Sequence, residues 1–163
     1  MKLNHKIKIN LLDFIKTGKF DYVTLGKTKE WMENNFPEPD FKHTFKKSSA
    51  LWGYGDFEIY FTNDETSMIY TDRIETLESG NHLEIDKSIF GIYEKCTLVD
   101  IQSKFNEIEI DYQVKHLVKL EQVILKISKS NVELSFGFYD EKVKKENYEL
   151  LSIHLTSPAY FQS

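Results

Sequence analysis

The sequence has little of what marks most catalytic or covalently stapled proteins. Among its 163 residues there is one cysteine, Cys96, so no disulfide can form within the chain. A lone cysteine of this kind reads as a small buried apolar residue. A nucleophile would want a neighbouring His and electropositive surroundings, and the local sequence has neither. The seven glycines are scattered and build no phosphate-cradling loop, and no Gly-x-Ser-x-Gly elbow occurs. His5, His43, His82, His116 and His154 include no His-x-x-x-His pair, which with a single cysteine argues against a structural zinc site. The aspartates from Asp64 to Asp72 lack the glycine and closing glutamate of a calcium loop. No apolar run approaches the roughly 18–20 residues of a membrane-spanning helix. The segment from Met1 to Lys6 has neither the apolar core nor the small-residue cleavage site of a signal peptide, so the expected compartment is the cytoplasm. With 26 Asp and Glu an acid–base pair can always be assembled in space, yet no pair stands out. The expectation is a protein without a cofactor and without catalysis.

What is present is a sheet-forming composition and an uneven charge. Nine Tyr and twelve Phe suit pleated surfaces and contact faces. The length fits one domain, or two small halves sharing one core. The net charge of −5 conceals three blocks. Residues 1–50 hold ten Lys against six Asp and Glu, residues 51–111 hold four Lys and Arg against fourteen, and residues 112–163 hold seven Lys against six. The acidic middle third, at −10, repels nucleic-acid phosphates and attracts basic partners. A small basic and aromatic run, Lys42, His43, Phe45, Lys46 and Lys47, does not outweigh it, so neither nucleic acid nor membrane is expected as a partner.

Periodicity places the elements. Apolar groups at Ile7, Leu11, Phe14 and Ile15 predict a helix over 7–17, ended by Gly18. Thr28 caps a second helix carrying Trp31, Met32 and Phe36 on one face, and Pro37 and Pro39 stop it. Residues 41–49 show no periodicity and are expected to be irregular. Ala50–Tyr54 reads as a strand with a bulge at Gly53, and Gly55-Asp56 as the hairpin turn after it. Phe57, Ile59 and Phe61 alternate with Glu58 and Tyr60, which is the pattern of a strand with one buried face. After a polar turn at 63–66, residues 67–74 return, followed by a loop at 75–82. A second unit is expected to start near residue 84. Thr97 with Asp100 approximates a capping box, and Leu98, Ile101 and Phe105 form the helix face behind it. Strands are expected at 108–116, 120–128, 132–139 and 148–156. The span 120–128 fits both periods, and its β-branched content favours a strand.

The two halves overlay. Asp56-Phe57-Glu58-Ile59-Tyr60-Phe61 aligns with Asn131-Val132-Glu133-Leu134-Ser135-Phe136, and Thr28 and Thr97 lie at comparable distances upstream. The fold class expected is α+β: an antiparallel sheet with short helices packed on one face, in a single domain over 1–163. The overlay suggests two tandem helix-plus-β-hairpin units at 20–74 and 97–156.

The pattern Leu25-Gly26-x-Thr28, Pro37-x-Pro39-Asp40, Trp52-x-Tyr54-Gly55-Asp56 resembles the helix-then-hairpin signature of the β-lactamase-inhibitor-protein-like superfamily. That group includes small lipoproteins of outer-membrane assembly. The sequence is most similar to its cytosolic bacterial members, some of them encoded near polymorphic or contact-dependent toxins. The resemblance covers residues 20–72 and, more loosely, 97–156, with Phe36 standing where the family usually has Gly. It implies a non-enzymatic binder but transfers neither partner nor site residues. The expected function is therefore a cytosolic immunity protein that binds and neutralises a basic toxin domain. The candidate contacts are Asp56, Glu58, Asp64, Glu65 and Asp72, with Tyr60 and Tyr70 as aromatic anchors. A general adaptor with another partner, or an enzyme with an unrecognised pocket, are the alternatives.

Overall fold

The computed structural model describes residues 6–46, 48–90, 96–138 and 143–158. The segment expected as one helix over 7–17 is two elements. Strand β1, Ile7–Asn10, turns directly into helix α1, Leu11–Thr17. Asn10 makes the break: its side chain accepts the Asp13 amide, a cap that requires an extended backbone at that residue. Ile7 and Ile9 thus follow the strand period and Leu11, Phe14 and Ile15 the helical one, all five being buried. Gly18 ends α1 at φ 71°, as its position predicts.

Helix α2, Lys29–Asn35, starts at Thr28, whose side chain accepts the Trp31 amide. Met32 and Phe36 are buried, whereas Trp31 lies nearer the surface, edge-on to Tyr22 with the Lys27 ammonium 4.3 Å over its ring. Beyond Pro37 the residues expected to be irregular form strand β2, Phe41–Lys46, all six exposed. An edge strand with both faces open to solvent shows no alternation, which is why the period was invisible. Strands β3 (Ser49–Tyr54), β4 (Phe57–Thr62) and β5 (Glu65–Thr71) follow. Gly53 is not at a bulge. The register shift lies between Thr44 and Lys46, and Gly53 instead makes room for the Phe41 ring, into which a Cβ would project at 1.9 Å. Gly55 at φ 60° and Asp56 turn β3 into β4. The return strand begins two residues earlier than its expected start and ends at Thr71.

Strand β6, Leu83–Asp86, does not open a second unit but pairs in parallel with β1, Ile7 opposite Leu83. Helix α3, Leu98–Glu107, has the full capping box: Thr97 accepts the Asp100 amide and Asp100 accepts that of Thr97. Strands β7 (Tyr112–Leu117), β8 (Gln122–Ile127), β9 (Glu133–Gly137) and β10 (Glu149–Thr156) complete the described strands. The ambiguous span at 120–128 is a strand.

The large sheet has eight strands in the order β2-β3-β4-β5-β10-β9-β8-β7. It is antiparallel throughout. Short helices and a predominantly antiparallel sheet make this an α+β fold. Its two sides run outward from the β5–β10 seam, each made of a helix followed by a four-strand meander. The correspondence extends to single hydrogen bonds. Thr28 bridges Glu65 and Thr97 bridges Glu149 at the start of β5 and β10. In the first, Lys29 donates to Asp64 and Thr66 to Lys27; in the second, Leu98 donates to Tyr148 and Leu150 to Cys96. Phe14, Phe20, Met32, Phe57, Ile59, Phe61, Ile101, Phe105, Leu134 and Phe136 lie in one apolar cluster.

Candidate functional site

Because side chains alternate across a strand, fixing one face in the core fixes the other. Phe57, Ile59 and Phe61 on β4, Ile69 on β5, Ile153 and Leu155 on β10 and Leu134 and Phe136 on β9 are buried against the helices' side. Glu58, Tyr60, Tyr70, His154, Glu133 and Lys126 therefore share the opposite, open face. The registers align most of them in one row: Gly53 opposite Glu58, Glu58 opposite Tyr70, Tyr70 opposite His154, His154 opposite Glu133, Glu133 opposite Lys126.

The row is linked by polar contacts. Tyr60 donates its hydroxyl to Glu58 Oε2 at 2.7 Å. Glu133 faces two partners, the Lys126 cation with Nζ 3.3 Å from Oε1 and the His154 imidazole with Nε2 3.3 Å from Oε2. The Tyr70 and His154 rings are 6.5 Å apart. Burial holds the His154 imidazole below its usual pKa, Glu133 opposes that shift, and the Lys126 charge adds to it. At the β2 edge the face is apolar: Phe41 is 46% and Phe45 54% exposed, and the His43 ring packs edge-on to Phe45 at 4.6 Å.

Of the seven residues expected as contacts, Glu58, Tyr60 and Tyr70 meet on this face. The other four lie at the ends of the strands. Asp56, in the β3–β4 turn, accepts from Thr76 Oγ1 and from the Glu78 amide, both at 2.6 Å, and so fastens the 73–80 loop. Asp40 ties the β3–β4 turn to the residue just past that loop, accepting from Gly55 N at 2.7 Å and from both nitrogens of Asn81. Asp72 is exposed just past β5, at the same end. Asp64 and Glu65 sit in the β4–β5 hairpin at the opposite end, about 20 Å away by strand rise. There Asp64, at φ 63°, pairs with Lys29, and Glu65 bridges Thr28 through the backbone. The acids of the middle third thus do not form one patch with Glu58.

Lys126, Glu133 and His154 escaped the sequence reading. Their strands were legible, and the alternation of Glu133 with Leu134 or of His154 with Ile153 and Leu155 marks them as outward. What brings them beside Tyr70 is the β5–β10 register, which joins residues far apart in the chain.

Elsewhere, burial first and then the Asp100 charge push the half-buried Cys96 thiol up, away from thiolate chemistry at neutral pH. A cavity of about 130 Å³ at the β7–β8 turn is lined by His116, Val118, Glu121, Lys145 and Tyr148, away from the row. Among the described residues no three His, Cys, Asp or Glu side chains converge as metal ligands, and no helix is long and apolar enough to cross a membrane.

No family model and no curated protein matches this chain. Among solved structures, an extracellular protein containing an SCP domain, from Bacillus anthracis, is similar at 10% identity with a TM-score of 0.44, over 99% of this chain and 50% of that one. This chain therefore spans about half the length of that protein.

Proposed function

We propose that the protein is a non-enzymatic protein-binding module, and specifically a cytoplasmic immunity protein that covers and neutralises a basic toxin domain. The observation that carries this reading is the open sheet face, where Glu58 stands opposite Tyr70 with Tyr60 beside it, next to an edge of exposed Phe41 and Phe45. Tyrosines and other aromatics held on a rigid sheet supply contact area at small entropic cost, and a carboxylate among them selects a cationic partner. The net −10 of residues 51–111 adds long-range steering toward such a partner. The resemblance of residues 20–72 to the β-lactamase-inhibitor-protein-like superfamily supports a binder of proteins. In this reading nucleic acid, membrane and small-molecule cofactors are not partners.

The test is affinity capture from the source organism's lysate at low and moderate salt, with wild type and a Glu58→Lys/Tyr70→Ala double variant side by side. A stoichiometric basic protein held by wild type, weakened by salt and lost with the double variant, is the expected result. A partner retained equally by the variant places the interface elsewhere, and a partner that is not basic favours an adaptor over an immunity protein.

A further inference from the structure

The two halves of the large sheet meet along one short seam, β5 against β10, running from Ile153 opposite Thr71 to Thr156 opposite Met68. His154 stands in the middle of it, opposite Tyr70. Its Nε2 faces Glu133 at 3.3 Å, and its Nδ1 is buried with no hydrogen-bond partner. The neutral ring fits this arrangement by carrying its proton on Nε2, toward the carboxylate, and leaving only a lone pair at Nδ1. A second proton would put an N–H on Nδ1 with no acceptor, where a buried unsatisfied donor is destabilising.

The surrounding charges do little to rescue a cation. From β9, Glu133 favours it, but the same carboxylate is already paired with Lys126 of β8. Lys126 itself repels a second positive charge. From β5 comes the Tyr70 ring, and beyond it on β4 the Glu58 carboxylate, which accepts the Tyr60 hydroxyl.

We propose that His154 is a proton-operated latch on the seam: taking up a proton there loosens the β5–β10 pairing, so that the two halves of the open face part as the medium acidifies. The latch acts whatever the face binds.

The sign follows from linkage. Burial lowers the imidazole's pKa in the folded protein, while the unfolded chain titrates near 6.5. Between those two values the unfolded or opened state binds more protons. Stability at the seam is therefore full above about pH 6.5 and is lost as pH falls toward the folded value, with the opening equilibrium rising by up to about tenfold per pH unit.

The experiment combines two measurements on the intact protein between pH 8 and 5. An NMR titration of the His154 imidazole carbon should give a midpoint below about 6.5. Amide-exchange protection at β5 and β10 should fall with pH in wild type, ahead of β3 and β8, and should not fall in His154→Gln. A midpoint at or above 6.5, or protection lost in parallel by wild type and variant, or lost equally across the sheet, overturns the latch. Should His154→Gln fail to fold, Glu133→Gln decides. Removing the one carboxylate that favours the cation should lower the His154 midpoint further, and an unchanged or raised midpoint rejects the proposal.

Discussion

The run of helix and four strands from Lys29 to Thr71 and the run from Leu98 to Thr156 place equivalent elements in equivalent order about the β5–β10 seam. They differ in what fills them. Toward the core, the first half presents Trp52, Tyr54, Phe57 and Phe61 where the second presents Leu125, Ile127, Val132 and Phe136. On the open face, the first half shows Tyr60, Tyr70 and Phe41, and the second shows Lys126, Glu133 and His154. The backbone plan fixes which side of the sheet each residue occupies. The side chains then make one half an aromatic surface and the other an ionic one. A partner lying across the whole face would meet both chemistries, each in a fixed place.

Six substitutions test how far the likeness extends, from the largest effect to the smallest. Phe61 and Phe136 are the penultimate residues of equivalent strands and both buried, so Phe61→Ala and Phe136→Ala should each destabilise by about 3–5 kcal/mol in urea denaturation. If the halves share one core, each variant gives a single transition; a two-step curve for either would show halves that melt separately. Tyr54 has no polar counterpart. Its buried hydroxyl donates to the Pro37 carbonyl at 3.0 Å, where the second half has Ile127. Burial, then the Glu38 and Asp40 charges and Tyr22, hold that hydroxyl well above the ordinary tyrosine pKa. Tyr54→Phe should therefore cost about 1–3 kcal/mol, read from the denaturant midpoint, by stranding a buried acceptor. The helix caps come next. Thr97→Ala breaks a reciprocal capping box and should cost about 1–2 kcal/mol, whereas Thr28→Ala removes a single bond and should cost about 0.5–1 kcal/mol. Equal costs in thermal melts would mean that Asp100 adds nothing. Lys29→Ala removes a surface pair with Asp64, whose counterparts in the second half are Leu98 and Tyr148, and should change stability by less than about 1 kcal/mol. A larger loss would show the ion pair anchoring the β4–β5 hairpin.

Local physics made much of this fold legible. Thr28 and Thr97 announce their helices because a cap is written within three residues, and β4 announces itself by Phe57, Ile59 and Phe61. Legibility stopped where the deciding partner is distant. Ile7 and Ile9 could extend a helical stripe or form a strand, and only β6, far along the chain, makes them a strand. Phe41 to Lys46 carries no buried face to reveal it. Asp56 was readable as a turn residue, but its ties to Thr76 and Glu78, some twenty positions on, were not. Within the candidate face, Glu58, Tyr60 and Tyr70 were readable from alternation, while His154, Glu133 and Lys126 became part of it only through a register between strands of opposite halves.

The β1–β6 pair has a consequence for biosynthesis. Asn10 bonds to Asp86 across 76 positions, and Ile7 and Ile9 are covered only once β6 is in place. At translation speeds of about 5–20 residues per second, β1 would leave the ribosome roughly 4–15 s before its partner strand exists. For that interval its two isoleucines are an exposed apolar segment on a nascent chain, within reach of any holdase or neighbouring polypeptide. Strand β1 thus settles only after strands β2 to β5, all made later than it, have emerged.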